Sequence, residues 1–347
     1  MTLAIIIGAS LGLVGLLSLI AFCRSRACYF EPGFEPWPSD DRERFEGSSF
    51  DPIAAEAGER RVMTIEGVEF PFRYCPPGKF VMGGIAQYEG DDGPLGEEPC
   101  REVILTQGFW AMETPTTQKQ WEAVAGFNPS EFEGDDCPVE CVSWNDCVKF
   151  ASVLNERFTA LPDGWIFCLP TEAQWEYACK AGTTTPFFWG DALNGDRANC
   201  DGSEPVGDLE SGARLWRTSP VRSYEPNPWG LYDAIGNVDE WCLDCYDAYS
   251  WYSEKESAPI DPAPAVDPVV APEDAPRFYR ANRVYRGGSW HSEAWDCYSF
   301  CRDWCGYAVR SSCLGARFVL IPRDAKALSL LRPVEGKLRR RGRPFST

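Results

Sequence analysis

The stretch RGGSWHSEAWDCYSFCRDWC (286–305) gathers side chains that can do chemistry. It holds His291, the single histidine of the chain, and Cys297, Cys301 and Cys305 at even four-residue spacing. Thiols in such a row suit a soft-metal or redox site. The same residues are interleaved with Ser289, Ser292, Trp295, Asp296, Tyr298, Phe300, Asp303 and Tyr307, a mixture that equally suits a ligand-binding surface. A single histidine excludes three-histidine iron sites and zinc sites that need two histidines. A Ser292–His291 hydrolase pair is excluded sterically, because adjacent side chains do not face each other and no oxyanion-hole motif accompanies them. The C-x-x-C of CLDC (242–245) needs further ligands for zinc, and Cys137 and Cys141 read more simply as disulfides or buried thiols. The chain has no phosphate-binding loop of the P-loop or dinucleotide type.

Composition narrows the choices further. Lys and Arg number 33 against 52 Asp and Glu, a net charge of −19. Such a chain repels polyanions, which excludes nucleic-acid binding by the main domain. The one basic cluster, GKLRRRGR (336–343), reads as a solvated tail. Hydrophobic residues make up 44% and aromatics 14%, enough to fill a large core. With 14 Trp, 31 Gly and 28 Pro the fold is expected to be rich in loops pinned by aromatic side chains. Sixteen cysteines fall short of a disulfide scaffold and leave the redox compartment open.

The elements that must position these residues follow from local pattern. Residues 3–22 run without charge for the length of a bilayer-spanning helix, so 1–24 are expected to be a single-pass membrane anchor. Arg24 and Arg26 then favour a cytoplasmic domain. Residues 25–65 are acidic and rich in Pro and Gly, and read as a tether. Residues 68–84 read as strand, turn, strand, and 101–113 as a strand pair. Three helices carry start signals: Thr117 with Gln120, Ser143 with Asp146, and Thr171 with Gln174 each have capping-box spacing. Gly182 suits the exit of the third. Residues 256–277 form a Pro-rich excursion, 282–290 and 314–322 the final strands, and 322–347 a basic tail.

Seven segments, from CPPGKFVMGG through LPTEAQWEYACKAG and NPWGLYDAIGNVDEW to RVYRGGSW and LGARFVL, resemble the formylglycine-generating enzyme, or sulfatase-modifying-factor, family across residues 66–321. The resemblance implies one irregular α+β domain related to C-type lectins, with a shallow groove. Some members are copper oxidases that convert a sulfatase cysteine to formylglycine with two cysteines; other relatives are binding or accessory modules. The resemblance places Ser292 and Cys297 at the two cysteine positions that follow Ser289. One thiol is therefore replaced by a hydroxyl, and Cu(I) favours thiolates, so copper is not expected. Asp239 stands where the oxidases carry a tryptophan. The family's structural calcium maps to Asp233, Gly236, Val238 and Glu240, an oxygen-rich set that suits Ca²⁺. A second calcium position keeps Asn199 but has Ala213 in place of an aspartate.

The expectation is a membrane-anchored domain that binds a protein, peptide or glycan through His291, Ser292, Trp295, Asp296, Tyr298, Phe300, Asp303 and Tyr307, and that has lost the copper centre. One alternative is an oxidase that uses Cys297 and Ser289. Another is a lectin-fold protein whose 291–313 face is diversified by a retroelement, because most of its varied residue types are reachable from an asparagine codon.

Overall fold

The computed structural model describes residues 45–48, 50–54, 56–84, 89–90, 93–94, 98–158, 160–246, 265–266, 268–269 and 281–323. The expected anchor, the basic tail and most of the Pro-rich excursion lie outside these residues. Among the described residues no helix is long and apolar enough to cross a membrane.

In chain order the strands and helices are β1 (Arg60–Ile65), β2 (Val68–Cys75), β3 (Gly78–Gly84), β4 (Glu89–Gly90), β5 (Gly93–Pro94), β6 (Glu98–Leu105), β7 (Phe109–Met112), α1 (Gln118–Ala125), α2 (Trp144–Arg157), β8 (Trp165–Cys168), α3 (Glu172–Lys180), β9 (Asp239–Cys245), β10 (Ala265–Val266), β11 (Asn282–Arg286), β12 (Arg302–Gly306), β13 (Leu314–Gly315) and β14 (Val319–Pro322). A 3₁₀ turn spans Ala294–Cys297. The largest sheet has the order β1-β2-β7-β14-β8, and a four-stranded sheet has the order β12-β11-β9-β13. A small sheet, β10-β6-β3, and the β4-β5 pair complete the fold.

β1 and β2 form a hairpin. Its turn residues Glu66 and Gly67 both take positive φ, at 50° and 76°, the combination that tight two-residue hairpins require. This corrects the tether boundary. Residues 60–65 are an edge strand, and Phe45 and Phe50 are already buried, so the folded domain begins well before residue 66. The strand, turn, strand over 68–84 is present as β2 and β3, which join different sheets. The strand pair expected over 101–113 is corrected, because β6 and β7 also join different sheets. Local periodicity identifies strands, but their partners are chosen by burial across the whole domain. Within the Pro-rich excursion, β10 pairs in parallel with β6.

All three helices have the expected capping boxes, with Thr117, Ser143 and Thr171 each accepting from the backbone three residues on. The third ends one residue earlier than expected: Ala181 adopts the left-handed conformation and Gly182 follows at φ 87°. α1 and α2 pack onto the large sheet through stacked rings: Trp121 on Phe150 and Phe150 on Phe318, each at 4.7 Å. α3 packs against β3, β9 and β11, and its carboxylates reach into the sheet that carries the site.

Candidate functional site

The site forms where β11 ends. Arg286, the last residue of β11, is almost fully buried. Its guanidinium donates to Glu176 at 2.7 Å and lies 3.1 Å from Glu172, both on α3. Arg302 on β12 pairs with the two oxygens of Glu172 at 2.8 Å, and Lys180 holds the other oxygen of Glu176 at 2.6 Å. Burying these charges is tolerable only because each is paired. The network fixes the start of the Gly287-Gly288-Ser289 turn.

That turn is tight. Gly287 and Gly288 have φ of 106° and 71°, a region in which side chains are strained. A Cβ on Gly288 would overlap the Cys297 sulfur, so the backbone approaches the thiol as closely as only glycine permits. Trp290 anchors the far side: its backbone N–H donates to the Asn237 carbonyl at 3.0 Å and its indole to the Ser312 carbonyl at 2.9 Å.

The structure brings Ser289, Ser292, Cys297 and Asp239 together. The Ser292 hydroxyl accepts from the Ser289 backbone N–H at 3.0 Å and lies 3.1 Å from the Ser289 hydroxyl. Asp239, the first residue of β9, accepts from the Ser289 side chain and the Gly288 backbone. Burial, then the nearby charges of Asp303 and Asp296, hold the Asp239 carboxyl well above the usual range. Burial, Asp303 and Glu293 push Asp296 up to about 7. Burial likewise raises Asp303, which accepts from Tyr285, although its exposed position on β12 lets water screen it. These three carboxyls form an acidic, partly buried cluster beside the turn. His291, at its edge, is held below its ordinary range by burial and by Arg214.

The expected binding face is only partly a surface. His291, Ser292, Trp295, Asp296 and Tyr307 are partly exposed and Asp303 is exposed. Tyr298 and Phe300 are corrections: they are 2% and 3% exposed and stack on each other in a second small core with Phe187. Alternation near a turn does not show which aromatic turns inward. The Cys301 thiol donates to the Trp295 carbonyl at 3.2 Å. A thiol that reaches Cys297 comes from Cys200, which is hydrogen-bonded to it. Nothing in the local sequence announces Cys200, since it comes from a distant loop. Tyr285, which donates to Asp303, is equally silent in the sequence: its place on β11 marks a strand and nothing more.

Glu240, Asp233 and Gly236 of the expected calcium set each have protein partners. Glu240 gives its oxygens to Arg317, at 2.9 to 3.1 Å, and to the Trp175 indole at 2.7 Å. Asp233 accepts from the Arg222 backbone at 2.7 Å, and the Gly236 carbonyl accepts from Val238 at 2.9 Å. Among the described residues no group of three or more His, Cys, Asp or Glu side chains converges to hold a metal. The copper set lacks its second thiol at Ser292. The Asn199 side-chain oxygen is buried without a hydrogen-bond partner, while its amide donates to the Arg217 carbonyl at 2.9 Å.

The mixed, sheet-dominated fold with few helices is C-type-lectin-like. The chain belongs to the family of sulfatase-modifying factor enzyme 1-like domains, whose profile matches residues 73–321. It is 34% identical to the formylglycine-generating enzyme of Thermomonospora curvata over 197 residues, 55% of this chain and 56% of that one. It is also 34% identical to the inactive C-alpha-formylglycine-generating enzyme 2 of Bos taurus over 138 residues, 39% of this chain and 42% of the relative. The chain spans about half the length of the curated relatives it matches. Among solved structures, Treponema denticola variable protein 1 superposes with a TM-score of 0.54 at 26% identity, covering 76% of this chain and 99% of that one. PvdO from Pseudomonas aeruginosa shares the fold, with a TM-score of 0.55 at 22% identity over 78% of this chain and 100% of its own.

Proposed function

We propose that the protein is a membrane-anchored binding module of this family that has left the two-cysteine copper oxidase reaction, and that its groove takes a cationic ligand. The observation that carries the reading is Asp239. A carboxylate stands where the resemblance places a tryptophan in the oxidases, with Asp296 and Asp303 beside it. Carboxyls that burial and mutual repulsion hold in the protonated state lose that penalty when a cation pairs with them, so the site takes up Lys- or Arg-bearing peptides or amines with release of protons. Ser292 in place of a thiol supports the same reading, and an inactive relative shows that family membership does not require the oxidase reaction.

The test has two arms on the full chain. Incubated with copper and a CxPxR peptide, it is expected to form no formylglycine; robust conversion would reject the reading. On a peptide array, binding is expected to follow Lys and Arg content, to weaken with salt and with Asp239→Asn, and to depend on Trp295. Binding indifferent to ligand charge would reject the cationic class. A second reading, diversification of the 291–313 face by a retroelement, is favoured by the likeness to Treponema denticola variable protein 1. It predicts that gene copies from sibling isolates differ at adenines of codons for the exposed positions while Tyr298 and Phe300 hold constant.

A further inference from the structure

Cys297 is 0% exposed and sits at the end of the 3₁₀ turn, its sulfur pressed against the backbone of Gly288. Cys200 is 1% exposed and belongs to the same small core, with Trp175, Phe187 and Tyr298. Both are thiols, and no disulfide joins them. The loop that bears Cys200 is stitched to the site on both sides. The Asn199 carbonyl accepts from the Asn237 backbone at 2.8 Å, and the Asp201 backbone donates to the Ser292 carbonyl at 2.8 Å. Asp201 also pairs with Glu293 as a parallel bridge. The loop thus lies alongside the residue that lacks a thiol and brings a thiol of its own to Cys297.

We propose that Cys200 and Cys297 form a dithiol that closes reversibly to a disulfide, a modification site built under the binding face. The oxidant is a small disulfide of the oxidised-glutathione class. One thiol loses its proton and attacks the oxidant, which releases one small thiol and leaves a mixed disulfide. The second cysteine, deprotonated in turn, attacks the mixed-disulfide sulfur of the first and releases the other small thiol. Two protons and two electrons leave the protein, and one S–S bond replaces two S–H bonds.

The environment sets the behaviour of the pair. The hydrogen bond from Cys200 and burial hold the Cys297 thiol well above its ordinary range, so little thiolate exists at neutral pH. Both sulfurs are covered, so the oxidant reaches them through local opening of the Cys200 loop. Oxidation is therefore slow and accelerates with pH. Once closed, the bond ties loop 199–201 to the floor beneath His291, Ser292 and Glu293. The two cysteines lie far apart in the chain, and a link across a long loop stabilises the fold by restricting the unfolded chain.

The experiment incubates the full folded chain with oxidised glutathione at pH 7 and pH 9, blocks remaining thiols with an alkylating agent under denaturing conditions, and maps the peptides. The expected result is a cross-linked peptide pairing Cys200 with Cys297, formed faster at pH 9, lost on treatment with dithiothreitol, and accompanied by a reversible rise in Tm. Cys200→Ser and Cys200→Ala each remove the cross-link and the Tm rise, whereas Cys301→Ser keeps both. Recovery of Cys297 as the alkylated thiol while the exposed Cys100 is oxidised, or its appearance in a bridge to Cys301 or Cys305, overturns the proposal. The wild-type map decides this even where a variant folds poorly. It is independent of ligand binding, so its outcome is separate from that of the binding assay.

Discussion

Replacing Asp296 with asparagine tests whether the groove is held at a cost in stability. The folded carboxyl is raised from 3.8 to about 7 by burial and by the charges of Asp303 and Glu293. A group that binds its proton more tightly in the folded state lowers stability as pH rises between its unfolded and folded pKa values. The penalty is absent below about pH 4 and complete above about pH 7. A shift of about three units corresponds to a ceiling of about 4 kcal/mol at 1.36 kcal/mol per unit. Asp296 is partly exposed, and water screening brings the expectation down to about 2 kcal/mol. Asparagine keeps the acceptor oxygen and removes the charge. Urea denaturation of both proteins at pH 4.5 and pH 8.5 is the assay. The two should differ by no more than about 0.5 kcal/mol at pH 4.5, and the variant should be about 2 kcal/mol more stable at pH 8.5. Asp303→Asn should give part of the same gain, because it removes the largest neighbouring charge. Parallel pH profiles for wild type and Asp296→Asn, or a variant less stable at pH 8.5, would refute the reasoning.

Glu140 is fully buried, with one oxygen lacking a hydrogen-bond partner, and burial raises it from 4.5 to about 7. Glu140→Gln should remove a penalty of about 3 kcal/mol that develops between about pH 4.5 and pH 7, seen as a Tm gain at pH 8 and none at pH 4. Gly288→Ala should lose about 1–3 kcal/mol by urea denaturation, since its φ is positive and its new methyl meets the Cys297 sulfur. Arg286→Ala should cost about 3–5 kcal/mol, because it strips a partner from two buried carboxylates. Millimolar calcium or a chelator should leave Tm unchanged, because Arg317 already neutralises Glu240; a calcium-dependent rise abolished by Asp233→Asn would show that the ion displaces the guanidinium.

Much of the frame is legible in the chain alone. The three capping boxes lie within four residues each, so Thr117, Ser143 and Thr171 declare their helices without reference to anything distant. The family segments single out Ser289, Ser292, Cys297 and Asp239, and the structure sets them next to one another around the Gly287–Gly288 turn. What depends on contacts across the chain stays silent in the sequence. β6 and β7 are neighbours in the chain but belong to different sheets, because strand partners are set by the burial of both faces rather than by adjacency. Tyr298 and Phe300 read as surface but stack in a core supplied by residues around 187 and 234. Glu240 reads as a metal ligand, and only the structure shows that Arg317, 77 positions along the chain, pairs with it. Even spacing suggests that Cys297 works with Cys301. Only tertiary structure turns Cys301 toward a carbonyl and brings Cys200 to Cys297, because the loop that carries Cys200 reaches the groove through backbone bonds to Ser292 and Asn237 that no local pattern encodes.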